Sequence, residues 1–291
     1  MTEGMAVGNP QTAPPRPPWA LLAAVTVAVG LTFHEYLAWM VSQWWRDEYY
    51  SHGFLIPIIS GYLIWHQRER LAALPRRGSS WGLPVLVAGL LLHLVALRAG
   101  AHFPSGFALI AVLFGLILWL GGWPLGRALL FPVAFLVFMV PLARLLVDYL
   151  ALPMQLFSAR GGGALAGAIG LPGVVVHGTS IATRDYTFEV AIPCSGLKSV
   201  IAMSALGALM AYLLQGPRWK RGLLFVASFP VAVVANLLRI FVTIVLGNSV
   251  GPALAEGFFH KASGALVFVF AFAGLLLLGG ALGCRKMRED I

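Results

Sequence analysis

Charge is scarce in this sequence. Of its 291 residues, 11% are Asp, Glu, Lys or Arg, against roughly 25% in an average soluble domain. The shortage excludes an ordinary water-soluble globule. It also excludes a disordered chain, which stays solvated through polar and charged residues. Cysteine is scarcer still: two residues, Cys194 and Cys284, cannot build a disulfide scaffold. Acidic residues number 11 against 20 Lys and Arg. In a chain this apolar, that imbalance belongs to cytoplasmic loops of a membrane protein, so no nucleic-acid partner is expected. What is present instead is 59% apolar residues and a mean hydropathy of +0.85. The expected surroundings are membrane lipids.

Apolar runs near 20 residues cross about 30 Å of hydrocarbon. Eight candidates emerge: 19–40, 53–66, 81–99, 103–121, 125–147, 195–214, 222–246 and 262–283. The run 19–40 is too long for a signal peptide and reads as an uncleaved first helix. The expected fold is an all-α polytopic membrane protein of about eight transmembrane helices. Residues 1–18, with Pro10, Pro14, Pro15, Pro17 and Pro18, form a disordered cytoplasmic tail. Residues 19–283 form the membrane domain, and 284–291 a short basic tail. An even span number puts both termini on one side. Placing them in the cytoplasm gathers there Arg68, Arg70, Arg76 and Arg77, then Arg218, Lys220 and Arg221, then Arg285, Lys286 and Arg288. That distribution obeys the positive-inside rule, in an inner, multi-pass membrane setting.

The longest connection, 148–194, falls on the outer side. Its first part, Met154 to Ile169, is apolar but interrupted by Gly161, Gly162 and Gly163, and reads as an interfacial or re-entrant helix. Val174–Val176 with Ile181 fits one strand. Tyr186, Phe188, Val190 and Ile192, alternating with Thr187, Glu189 and Ala191, fit a second. With Arg184-Asp185 at the turn, a small extracytoplasmic β-hairpin leads into Cys194.

Three residues stand out chemically. Cys194, in Pro193-Cys194-Ser195-Gly196-Leu197-Lys198-Ser199, sits where a strand ends and a helix begins. Unpaired N–H groups of a first helical turn favour thiolate, the nucleophilic form, and Lys198 adds a cation. Arg239 lies well inside the seventh run, where a guanidinium is costly and marks function. His260 precedes the eighth run, on the outer side, as His52 precedes the second. Cys284 lies at the opposite end and reads as a small buried hydrophobe. Topology brings Cys194, Arg239 and His260 to one membrane face. A thiol, an imidazole and a fixed cation suit nucleophilic acyl transfer. Metal-ligand spacing is missing, and neither a metal nor a cofactor is expected.

These residues also carry a resemblance. The stretch Tyr50-Ser51-His52-Gly53-Phe54-Leu55-Ile56-Pro57, the pair Phe188-Glu189-Val190 and Cys194-Ser195-Gly196-Leu197, the run Asn236-Leu237-Leu238-Arg239-Ile240, and His260 followed by Gly264 resemble, in order and spacing, the signatures of the exosortase/archaeosortase family of membrane protein-sorting enzymes. The resemblance spans about residues 30–283. It departs at Lys198, where arginine is common, and at Ile192-Pro193, where a more polar pair is common.

The resemblance implies a catalytic set of Cys194, Arg239 and His260. His52, Lys198, Ser195 and Asn236 are expected to contact or orient substrate. It implies a cysteine transpeptidase or protease acting at the outer face. Its substrates would be membrane-anchored proteins with a C-terminal Pro-Glu-Pro motif, a transmembrane helix and a basic cluster. Cleavage would run through a thioester on Cys194, with transfer to an exopolysaccharide- or envelope-linked acceptor in a biofilm setting. Two other classes fit parts of the sequence. A transporter or flippase for a polyprenyl or glycan intermediate would suit the spans and the buried arginine, but no internal repeat is evident. A noncatalytic scaffold would leave Cys194 unreactive.

Overall fold

The structure, a computed structural model, describes residues 19–141, 144–184, 187–251, 258–284 and 286–288. The expected tail 1–18, the turn residue Asp185, the strand residue Tyr186 and the end of the basic tail lie outside these residues. Ten helices and one small sheet account for most of the described chain. The helices are α1 Trp19–Thr32, α2 His34–Arg46, α3 Leu55–His66, α4 Arg68–Ala73, α5 Gly82–Arg98, α6 His102–Phe135, α7 Arg144–Ala168, α8 Leu197–Leu213, α9 Arg218–Ser249 and α10 Phe258–Ala281.

By length and composition, two helical stretches among the described residues can cross a membrane: His102–Met139 and Arg218–Ser249. A third is added if α1 and α2, which meet at a 72° bend, are one broken span. The run 19–40, expected as one helix, is therefore two. Within α6 the backbone leaves helical geometry at Gly122 (φ 77°), between the two runs expected as separate spans. The expected run 125–147 stops early. Its helix ends at Phe135, a 3-10 turn covers Leu136–Met139, and Val140 is extended (ψ 117°). Val140 precedes Pro141, and the proline ring disfavours helical geometry in the residue before it.

The chain forms two compact units. The first comprises the described residues of 1–39 and 64–133, the second those of 40–63 and 134–291. In the first, His93 is buried between helices. Its Nε2 donates to the Thr32 carbonyl at 3.0 Å, so Nδ1 accepts from the Ser105 hydroxyl, also at 3.0 Å. Phe33 stacks on its ring.

The second unit holds every candidate residue. Helix α7 takes up the first part of the connection expected from 148 onward, and nearly all of the helix expected over Met154 to Ile169 falls within it. Gly161–Gly163 do not break it, because they allow close approach to α9. A β-carbon on Gly162 would lie 2.6 Å from Ile240 Cγ2. The sheet is a three-stranded antiparallel meander of β1 Val175–His177, β2 Ser180–Ala182 and β3 Thr187–Glu189. The expected hairpin thus has one strand too few. The chain reverses at Gly178-Thr179, between the paired residues His177 and Ser180. The sheet's Ile181 and Phe188 pack with Val190, Cys194, and Ile240 and Ile244 of α9 into one buried cluster.

Helices α8, α9 and α10 pack around Met203, Leu224, Ala232, Val267, Ala271 and Leu275. Helix α10 runs antiparallel to α9. Lys220 Nζ near the start of α9 donates to the Leu282 carbonyl at 2.9 Å, and the Gln215 amide donates to the Lys286 carbonyl at 2.8 Å.

Candidate active site

Cys194 ends the short 3-10 turn Ile192–Cys194, and α8 begins at Leu197. The thiol is therefore not inside the first helical turn, as its spacing had indicated. Its own amide donates to the Ala191 carbonyl at 2.8 Å. Cys194 is 1% exposed. Burial pushes its thiol pKa up, the Arg239 charge pulls it down, and the Glu48 charge pushes it up again. The expected helix-terminus assistance is replaced by a buried thiol held above the usual thiol range chiefly by its burial, with the Arg239 guanidinium opposing that shift.

Helix geometry explains how Arg239 reaches it. Helix α8 carries the chain roughly 25 Å away from Cys194, and α9 returns roughly 31 Å by Arg239, at 1.5 Å per residue. The two helices lie side by side, so Asn236 and Arg239 come back to the level of the cysteine.

Side chains from three other parts of the unit hold the backbone around Cys194. Tyr49 Oη donates to the Ile192 carbonyl at 2.8 Å. Gln155 Nε2 on α7 donates to the Val190 carbonyl at 2.8 Å. Asn236 Nδ2 on α9 donates to the Cys194 carbonyl and to Ser158 Oγ, both at 3.1 Å. Ser158 in turn donates to the Ser195 carbonyl at 3.3 Å. Ser195 Oγ accepts from the Leu197 amide at 3.3 Å. Gly196 has φ +89°, and a β-carbon there would lie 2.8 Å from Asn236 Cγ. Only glycine combines that backbone with that approach.

The expected substrate contacts take particular places. Asn236 and Ser195 are each 1% exposed, and the contacts above turn them onto the cysteine loop itself. Lys198 is partly exposed and pairs with Glu48 at 3.2 Å. Its charge is answered by Glu48 before it can assist the thiol. His52 lies in the 3-10 turn Ser51–Phe54, and its Nε2 is buried with no hydrogen-bond partner among the described residues. Burial holds its pKa below the usual histidine range. The Phe138 and Tyr49 carbonyls beside it pull it back up, and Lys198 pushes it down. His260 lies in the first turn of α10, at the end where α9 finishes, and its side chain is outside the described atoms. The structure thus joins Cys194, Arg239, Asn236, Ser195, Lys198 and His52 with Glu48, Tyr49, Gln155 and Ser158.

A family model for transmembrane exosortases matches residues 44–277. The chain belongs to this family. The match takes in all seven expected site residues, from His52 to His260. No curated protein and no solved structure matches the chain. As an exosortase it is a membrane protein, a sorting enzyme in general terms, in a family of cysteine transpeptidases. Four residues that shape this exosortase's cysteine loop escaped the sequence: Glu48, Tyr49, Gln155 and Ser158. Glu48 and Tyr49 directly precede the Tyr50–Pro57 motif, a signal within reach. Gln155 and Ser158 had none, since their helix read as interfacial or re-entrant and its spacing did not reveal the cysteine loop as its partner.

Proposed function

We propose that this exosortase is a cysteine transpeptidase or protease with Cys194 as nucleophile. Its substrates are membrane-anchored proteins with a C-terminal Pro-Glu-Pro motif, a transmembrane helix and a basic cluster. One observation carries the proposal: the buried Cys194 thiol feels the Arg239 charge while Asn236, three residues earlier on the same helix, grips the Cys194 carbonyl. A nucleophile and a fixed cation held by one rigid helix are the parts acyl transfer needs.

In the reaction, His260 takes the Cys194 proton and the thiolate attacks the scissile carbonyl. Arg239 stabilises the oxyanion. The tetrahedral intermediate collapses as the C–N bond breaks. The leaving amine takes the proton from His260 and departs with the C-terminal helix. An amine or hydroxyl of an envelope or exopolysaccharide acceptor, or water, then attacks the thioester, returning a proton to the thiolate. Asn236 and Ser195 act as positioning residues, and His52 and Lys198 face the substrate. About eight spans, cytoplasmic termini and an outward-facing sheet in the inner membrane complete the proposal.

The test is co-expression with a reporter bearing that three-part C-terminus. Cys194→Ala should leave the reporter full-length in the membrane, and processing at the wild-type rate by a well-expressed Cys194→Ala protein refutes the nucleophile. Arg239→Lys should lose most turnover while the reporter still co-purifies. Loss of co-purification would move Arg239 from oxyanion to substrate acid.

A further inference from the structure

Cys194 is buried, but a charged residue close to it in the chain is open to solvent. Lys198 follows the cysteine by four residues, in the first turn of α8. That turn carries no acidic residue, so the lysine adds its charge to the positive end of the helix dipole. An acid is the residue that stabilises such an end. Here the acid comes from 150 residues earlier. Glu48, in the turn that follows α2, sets Oε2 3.2 Å from Lys198 Nζ. The Glu48 side chain is 77% exposed and that of Lys198 42%. An ion pair this open to water is worth little, so the Glu48 carboxylate leaves at little cost to the fold.

The place of the pair adds a second observation. The Glu48 charge reaches the Cys194 sulfur, and the Lys198 charge reaches the His52 ring. The start of α8 is thus a cationic position within electrostatic range of the nucleophile, and a carboxylate of the chain itself already sits on it. A free anion would exchange with Glu48 through a single contact. A glutamate on a peptide that also seats at Cys194 exchanges as an intramolecular event, at a far higher effective concentration. We propose that Glu48 is a stand-in for the substrate's own acid: Lys198 takes the glutamate of the Pro-Glu-Pro motif, which displaces Glu48, and this exchange selects acidic substrates. The proposal rests on the substrate reading given above and adds to it the residue that reads the acid and the residue that holds its place.

The experiment is cleavage kinetics with the purified full-length protein in neutral detergent. The reporter carries the three-part C-terminus with Glu, Gln or Lys at the centre of the motif. The wild type should show a KM about fivefold lower for the Glu reporter than for the Gln reporter, at similar kcat. Lys198→Gln should erase that preference, and Lys198→Arg should keep it. Lys198→Glu should transfer the preference to the Lys reporter. Glu48→Gln should lower KM for the Glu reporter about twofold and leave the Gln reporter unchanged. A pair that only staples the fold would behave otherwise: Lys198→Gln and Glu48→Gln would lower activity on all three reporters alike, and that result overturns the proposal. A Glu preference that survives Lys198→Gln places the reader of the acid elsewhere and also overturns it. Slower resolution of the thioester in Lys198→Gln, with reporter KM unchanged, gives the lysine to an acidic acceptor and overturns it too. Cleavage of no reporter by the wild type refutes the substrate reading and this proposal together. Cleavage without these charge effects refutes the proposal alone.

Discussion

At Cys194, two charges of opposite sign act on one buried sulfur. Thiolate is the reacting form, so alkylation by iodoacetamide reports how readily it forms. Arg239→Gln removes the charge that favours thiolate and should move the alkylation profile to higher pH. Glu48→Gln removes a charge that opposes it and should move the profile to lower pH. Coincident profiles in the two variants would mean that neither charge governs the sulfur. His52 offers a second pH test. Burial holds its pKa below the usual range, so the native state takes up this proton later than the unfolded chain does. Its contribution to stability is complete above the unfolded value of about 6.5 and is lost as pH falls through the folded value. Melting temperature in detergent should therefore drop on acidification through that window, and His52→Gln should flatten the drop. An unchanged slope in His52→Gln would assign the acid sensitivity elsewhere. Cys194 and Arg239 stood out in the sequence because each is chemically out of place in an apolar chain. Asn236 stood out for its neighbours, and its actual contact, the Cys194 carbonyl, depends on a helix pairing that spacing alone does not specify.

Helix α9 links the elements of the site. One of its faces meets the glycines of α7, another the cysteine loop, and a third α10. The α7 contact is the tightest: Gly162 leaves no room for a β-carbon against Ile240. Gly162→Val should push α7 away from α9 and carry Gln155 and Ser158 off the Val190 and Ser195 carbonyls. Overpacking of this kind costs about 1–3 kcal/mol, readable as a lower melting temperature with loss of reporter processing. Asn236→Ala attacks the same arrangement from α9. It leaves the buried Cys194 carbonyl without its side-chain donor, at about 1–3 kcal/mol. A Gly162→Val protein as stable and active as wild type would show that α7 does not set the loop. The helices α5, α8, α9 and α10 were legible because long apolar runs between polar breaks have one reading. Helix α7 was legible only in part: Met154 to Ile169 read as an interfacial or re-entrant helix, but Gly161–Gly163 look like a break until the partner that fills their space is known. The extra strand was hidden for a similar reason. Val174 to Ile181 alternates well enough for one strand, and its reversal at Gly178-Thr179 is set by pairing on both sides.

Across the second unit, the site and the basic connections occupy opposite ends of the same helices. Glu48, Lys198 and Cys194 lie at the start of α8. Arg218, Lys220, Arg221 and the residues after α10 lie at the other end, roughly 25 Å away at 1.5 Å per residue. The tail is tied there through Gln215 to Lys286 and through Lys220 to Leu282. Cations cluster at that end and acids thin out, the pattern of a cytoplasmic surface. The same axis therefore ought to put Glu48 on the outer face. Single cysteines at Glu48 and at Arg218, both exposed positions, test this in a Cys194→Ala, Cys284→Ala background. A membrane-impermeant maleimide added to intact cells should label Glu48→Cys and spare Arg218→Cys. After permeabilisation both should react, which shows that protection came from the membrane rather than from folding. The reverse pattern in intact cells would invert the topology and move the thiol chemistry to the cytoplasmic side. Envelope-linked acceptors would then be out of reach, although the local geometry around Cys194 would stand unchanged.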